Sequence, residues 1–230
     1  MTLLICRDTD YGNYQNSWLY EVAMRQELET TIAFYDEQYA ESTAHLDMQK
    51  LYDRFEKYLS EGASVLDAGC GSGRDSKHFI EKGYTVTAFD ASGIMCEYAS
   101  KLTGQEVRKL TFQEMDYQDC FDGIWACASL LHIPEDEVVT VLKNIAAALK
   151  KGGVLYASWK YGDKNRFDCV TNRYFCDMTD KKINELIKSV IDLDVCDSWL
   201  TCDVRNEYNT QNWINVLAKK DLMTETNEFK

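Results

Sequence analysis

Ser64-Val-Leu-Asp-Ala-Gly-Cys-Gly-Ser-Gly-Arg-Asp-Ser76 is the stretch whose reading decides the fold. A short apolar run, Ser64 to Ala68, reads as a buried strand. It breaks into Gly69-Cys70-Gly71-Ser72-Gly73, whose glycines permit a tight turn and let a ligand lie directly on the backbone. Arg74 to Lys82 is polar enough for a surface helix, and Gly83 closes it in the position that favours a left-handed turn. Tyr84-Thr-Val-Thr-Ala-Phe89 is a second strand, rich in β-branched and aromatic residues, ending at Asp90.

The same alternation continues downstream. Ser92 to Leu102 reads as helix, Glu106 to Leu110 as strand, and Phe121 to Ala126 as strand. Pro134 can open the next helix, because its first turn needs no amide donor there. Glu135, Asp136 and Glu137 suit the positive end of that helix dipole, and Lys150-Lys151 the negative end, with Gly152-Gly153 as the stop. Val154 to Trp159 is a fifth strand. An irregular polar stretch follows, then a helix marked by Ile183, Leu186, Ile187, Val190 and Ile191, and strands over Val195–Val204 and Asn212–Ala218. Upstream, Met48, Leu51, Tyr52, Phe55, Tyr58 and Leu59 fall on one face of a helix ending near Glu61-Gly62. This pattern predicts an α/β fold: a doubly wound, mostly parallel, seven-stranded Rossmann-like sheet with helices on both faces. Ligands on such sheets sit at the carboxyl ends of the strands. Residues 1–30 form an appendage of unknown role, 31–219 the domain, and 220–230 a polar tail.

Composition narrows the partners. The 230 residues suffice for one domain. Lys and Arg number 25 against 38 Asp and Glu, a net charge of −13 that repels nucleic-acid phosphates and anionic lipid. No apolar run is long enough to span a membrane, and Met1 to Cys6 is too short for a signal segment. The 9 cysteines are scattered without a metal-ligand spacing, which predicts a reducing cytoplasm and no metal site.

The glycine loop spaces its residues G-x-G-x-G, with Asp67 two positions ahead, whereas a pyrophosphate-binding loop spaces them G-x-G-x-x-G. A carboxylate at that mouth opposes a pyrophosphate and suits a cationic ligand. S-adenosylmethionine carries a sulfonium and an ammonium group and no phosphate. Asp90, at the end of the second strand, can accept from both ribose hydroxyls, although an acid there would serve a nicotinamide ribose equally.

These residues, together with Phe121-Asp-Gly-Ile-Trp-Ala-Cys-Ala-Ser-Leu-Leu-His132, resemble the class I S-adenosylmethionine-dependent methyltransferases. The Gly73-Arg-Asp-Ser76 extension resembles the branch holding tellurite-resistance-type and small-molecule enzymes. The resemblance implies that Gly69, Gly71 and Gly73, with Cys70 in the same loop, bind the cofactor's methionine and ribose portions. It implies that Asp67 orders the loop and helps hold the amino group, Asp90 binds the ribose, and Ala91 packs on the adenine. Thr111 and Phe112 stand where many relatives place an acid against the adenine amine, a departure from the pattern. Cys127 faces the methionine chain, and Leu131 and His132 lie on the loop facing the methyl group. Tyr35 and Tyr39, at i and i+4, resemble tyrosines of an N-terminal helical lid, or else are packing aromatics.

Other readings stay modest. His132 is a candidate general base or a loop histidine shaping the pocket; His45 is a weaker candidate, and His78 reads as surface. Cys70 has no base spaced to activate it and reads as packing. Arg74 at a helix start needs an acidic partner or the cofactor carboxylate. Lys160, Arg166 and Arg173 make one stretch locally basic, for an anionic acceptor or simply as a solvated loop. The expected function is methyl transfer to a small-molecule acceptor by in-line displacement. The alternatives are a tRNA or protein methyltransferase, or a silent cofactor-binding partner or sensor. Oligomeric state is not legible.

Overall fold

Alternate residues of β1 (Ser64–Ala68) feed two separate cores, Val65 one and Leu66 and Ala68 the other, and all three are fully buried. A strand buried on both faces belongs at the centre of a layered sheet. The computed structural model describes residues 17–168, 170–205 and 210–220; the expected tail beyond Lys220 and residues 1–16 of the expected appendage lie outside the described residues.

Beside β1 run β2 (Thr85–Asp90) and β4 (Phe121–Ala126), both parallel to it. The short β3 (Arg108–Lys109) pairs with β2, and β5 (Leu149–Lys160) with β4, again in parallel. β9 (Asn212–Lys220) runs antiparallel to β5 and to the edge strand β8 (Leu193–Cys202). The result is the expected seven-stranded sheet, in the order β3-β2-β1-β4-β5-β9-β8.

Helices cover both faces. On one lie α3 (Gln49–Phe55), with Tyr52 and Phe55, and α4 (Arg74–Glu81), with Phe79, packed on Trp125 and Tyr156. On the other lie α6 (Glu135–Ala148) and α7 (Asp180–Lys188). α5 (Gly93–Thr103) is capped by Ser92, whose hydroxyl accepts from Met95 N, and buries Cys96 and Ala99 against Cys70 and Ala88. No helix among the described residues is long and apolar enough to cross a membrane.

The structure corrects several boundaries. α1 (Ser17–Phe34) runs through residue 30 without a break, and its Met24 is buried in the main core. The expected division between residues 30 and 31 therefore falls inside a helix. α6 ends at Ala148, so Lys150 and Lys151 begin β5 rather than closing the helix. Lys150 instead bonds Asp122, at 2.9 Å. The stretch read as irregular contains an antiparallel hairpin, β6 (Asn165–Asp168) with β7 (Arg173–Cys176). His78 is not a bare surface residue: it stacks on Tyr52 at 3.7 Å and bonds Glu56 at 2.7 Å.

Gly123 shows how closely α3 sits on the sheet. A Cβ there would come within 2.7 Å of the Phe55 ring and 2.8 Å of Leu59. Gly123→Ala is expected to destabilise by roughly 1–3 kcal/mol through overpacking. In thermal unfolding that reads as a drop of about 2–4 °C per kcal/mol for a chain this long. An unchanged midpoint would mean that the helix is not seated this tightly.

Candidate active site

The carboxyl ends of β1, β2 and β4 open into a cavity of about 570 Å³, within the roughly 300–1,000 Å³ of small-molecule sites. α1 and α2 (Glu37–Thr43) line it from above. Its floor is the glycine loop. Gly71 has φ +53°, and a Cβ built on it would meet no atom within 4 Å, so its open side is where a ligand can lie on the backbone. Its neighbours are glycine for packing: a Cβ at Gly69 would strike Ser129 at 2.5 Å, and one at Gly73 would strike Ala99 at 2.8 Å.

Asp90 ties this floor to the next loop. One carboxylate oxygen accepts from Gly71 N and the other from Ser92 N, each at 2.8 Å. Burial raises its pKa, and the backbone donors pull the other way. Each oxygen keeps a second acceptor position for a ligand hydroxyl.

Of the expected site residues, Tyr35, Tyr39, Gly69, Cys70, Gly71, Asp90, Ala91, Thr111, Phe112, Cys127 and His132 all line this cavity. Three do not. Asp67 is buried beneath the floor, where the Ser76 hydroxyl donates to it at 2.6 Å. From there it orders the start of α4 and does not line the cavity. Gly73 packs on α5, and Leu131 is a core residue. His45 is exposed and lies away from the cavity. Cys70 and Cys127 are thiols whose pKa burial raises, Cys127 to about 12, so neither is a nucleophile.

Two features were not legible in the sequence. The first is Asp75, which accepts from Arg74 (Nε at 2.6 Å, Nη2 at 2.8 Å), from the Tyr52 hydroxyl at 2.5 Å and from Trp125 Nε1 at 2.8 Å. The expected acidic partner of Arg74 is thus its own sequence neighbour. The only sign of it was an acid in the first turn of a helix. Arg74 and its fellow donors hold the Asp75 carboxyl below its usual range, while burial and the Asp75 charge push Asp67 up to about 8.

The second feature is a hydrogen-bond chain across the lid. His132 Nδ1 lies 2.6 Å from the Tyr174 carbonyl, which fixes the proton on that nitrogen and leaves Nε2 as acceptor. The Tyr35 hydroxyl donates to Nε2 at 2.5 Å. Tyr174 N in turn donates to Thr31 Oγ1 at 2.9 Å, and the Ser92 hydroxyl donates to the Tyr35 carbonyl at 3.0 Å. Tyr39 packs edge-on to Tyr35, with ring centroids 4.9 Å apart. Burial, assisted by Arg173 and Lys160, drives the His132 pKa down to about 3. Burial raises the Tyr35 phenol, which stays protonated.

Residues 65–153 match the profile of the methyltransferase-domain family. Glycine N-methyltransferase of Rattus norvegicus is 33% identical over 111 residues, covering 40% of this chain and 38% of that protein. Methyltransferase GfsG of Streptomyces halstedii is 32% identical over 116 residues, covering 46% of this chain and 40% of that protein. The chain therefore spans well under half the length of these curated relatives. In structure it is similar to 1,6-didemethyltoxoflavin-N1-methyltransferase of Burkholderia thailandensis, solved with 1,6-didemethyltoxoflavin and S-adenosylhomocysteine. The TM-score is 0.69 at 24% identity, over 90% of this chain and 91% of that one. The methyltransferase-domain profile thus spans β1 to the start of β5, the part of the sheet that carries the glycine loop, and the solved structure shares the fold. The names of these three relatives do not single out the tellurite-resistance branch that Gly73-Arg74-Asp75-Ser76 resembled.

The lid chain makes a pH prediction. An unfolded imidazole titrates near 6.5. Between that value and the folded one, the unfolded chain binds a proton that His132 excludes, so stability falls as pH drops. The thermal-midpoint gap between the parent and His132→Asn should be widest above pH 7 and narrow steadily from about pH 6.5 toward 4. A gap constant across that range would contradict the neutral, doubly bonded imidazole.

Proposed function

We propose that the protein transfers the methyl group of S-adenosylmethionine to a small-molecule acceptor. The observation that carries this reading is the open face of Gly71 against the cavity, with Asp90 fixed beside it. A side chain on Gly71 would occupy the cradle that a ligand needs. When bound, S-adenosylmethionine supplies a methyl group on a sulfonium that is already a good leaving group. What remains for the protein is alignment and exclusion of water, and such positioning is worth roughly 7–11 kcal/mol.

Gly69, Cys70 and Gly71 form the floor for the methionine and ribose portions, and Asp90 accepts the ribose hydroxyls. Ala91, Thr111 and Phe112 flank the adenine, and Cys127 borders the methionine chain. Tyr35, Tyr39 and His132 face the acceptor side. We assign His132 to orienting the Tyr35 hydroxyl rather than to taking a proton, since its one basic nitrogen is occupied and its pKa lies far below neutrality. Tyr35 then presents a fixed phenol to the acceptor. An acceptor with a lone pair free at neutral pH needs no base here.

A small acceptor is supported by the cover that α1 and α2 place over the cavity. The names of two relatives, a glycine N-methyltransferase and a toxoflavin-precursor N1-methyltransferase, point to small nitrogen acceptors. The charge of −13 weighs against tRNA. A reducing, cytoplasmic setting is in keeping with the free thiols of all seven cysteines among the described residues.

Titration calorimetry with S-adenosylhomocysteine tests the reading, with NADH as control. The parent should bind S-adenosylhomocysteine and not NADH. Asp90→Ala should weaken binding about tenfold or more, the loss of a charge-assisted hydrogen bond of roughly 1.5–3 kcal/mol. Binding of NADH alone, or of neither ligand, would overturn the reading.

A further inference from the structure

The hairpin β6–β7 carries a charge arrangement that the cofactor site does not use. Arg166 lies directly across from Phe175 in the hairpin register, and Arg173 sits two residues before Phe175, so all three side chains share one face. Lys160, at the carboxyl end of β5, comes to the same ring. Its Nζ is 3.9 Å from the ring centroid, with the guanidinium carbons of Arg166 at 4.6 Å and Arg173 at 5.0 Å. Three cations thus surround one buried phenyl ring, in a chain whose net charge is −13.

Their counter-charge is incomplete. Arg166 is paired with Asp177 at 3.1 Å. Neither Lys160 nor Arg173 has a carboxylate within 4.0 Å among the described residues. Arg173 donates to Thr171 Oγ1 at 3.2 Å and to the Tyr35 hydroxyl at 3.5 Å, and it stacks on Phe34 at 4.0 Å. Lys160 lies over the ring, and the Asp177 charge, already paired with Arg166, acts on it only from a distance. Burial and the two arginines pull its pKa down to about 8, the mark of a cation held among like charges. Cation–π contacts offset part of this repulsion. An anion placed between the ammonium and the guanidinium forks would offset the rest, and the planar fork suits carboxylate or phosphate oxygens.

The cluster adjoins the reacting end of the cavity. The Phe175 and His132 rings have centroids 5.0 Å apart, and Arg173 touches Tyr35; both His132 and Tyr35 line the cavity. We infer that Lys160, Arg166 and Arg173 form a subsite for an anionic group, carboxylate or phosphate, of the methyl acceptor. In this arrangement Tyr35 stands between the cofactor side and the anion subsite, so an acceptor reaching both would replace the Tyr35 hydroxyl as the partner of Arg173. The inference rests on the methyltransferase reading for the ligand's identity as acceptor, but not for the presence of an anion site.

The test is calorimetric titration of acetate and, separately, inorganic phosphate into the full chain, with and without saturating S-adenosylhomocysteine. Parent, Lys160→Met, Arg173→Gln and the exposed control Lys181→Met are compared. The parent is expected to bind at least one of the anions at millimolar concentration, and the preferred one tells carboxylate from phosphate. Lys160→Met and Arg173→Gln should weaken that binding about tenfold or more, and Lys181→Met should not. S-adenosylhomocysteine affinity should stay within about twofold in all four, because none of these residues lines the cofactor floor. Arg173 also packs on the lid, so if its variant does not fold, Lys160→Met, which removes no hydrogen bond, decides the matter. No binding of either anion by the parent, or equal binding by parent and Lys160→Met, overturns the inference. Failure of S-adenosylhomocysteine to bind while anions still do counts against the methyltransferase reading alone.

Discussion

The carboxylate of Asp75 is the constraint on which the rest of this architecture hangs. It has about four lone-pair positions, and four donors fill them: two from Arg74, one from Tyr52 on α3 and one from Trp125 on β4. A buried ion pair is tolerable only with such saturation, and stripping one partner from a pair of this kind typically costs roughly 3–5 kcal/mol. Arg74 also reaches the Thr43 carbonyl at the end of α2, at 3.4 Å. The Arg74–Asp75 pair thereby ties a lid helix, the start of α4, the central sheet and its covering helix. Burial, together with the charge that Asp75 keeps, pushes Asp67 nearby toward its neutral form, and Asp67 accepts from the Ser76 hydroxyl. The glycine loop lies between these two acids and inherits its position from both.

This explains why the loop can serve as a floor. Its glycines are held from below by Asp67, Ser76 and the packing of α5, and from the side by Asp90. Only Gly71 is left with an open face. The lid is fixed by different chemistry, a neutral chain from Thr31 through Tyr174 and His132 to Tyr35. Charge sets the floor of the cavity and neutral hydrogen bonds set its roof.

How much of this the sequence carried depended on whether a feature was local. The sheet was legible because β1 and β2 run straight into a glycine turn and a helix cap, and β4 and the second half of β5 are apolar runs. The residues lining the cavity from Gly69, Asp90, Phe112 and Cys127 followed from strand ends. The hairpin β6–β7 was not legible, since Asn165-Arg-Phe-Asp168 and Arg173-Tyr-Phe-Cys176 are too short and too polar to show alternation. The full length of α1 was missed because its burial depends on contact with β7, which is far away in sequence. Asp67 was misplaced for the same reason: its position ahead of the loop suggested exposure to ligand, and only the packing of Ser76 shows it facing inward. His132 was placed correctly, but its proton state depends on the Tyr174 carbonyl, 42 residues away.

A crystal structure of the protein grown with S-adenosylhomocysteine tests the central claim most directly. The account predicts the ligand lying on Gly71, with its ribose hydroxyls about 3 Å from the Asp90 carboxylate and its sulfur facing Tyr35 and His132. A ligand bound elsewhere, or a cavity that stays closed to saturating S-adenosylhomocysteine, would contradict it.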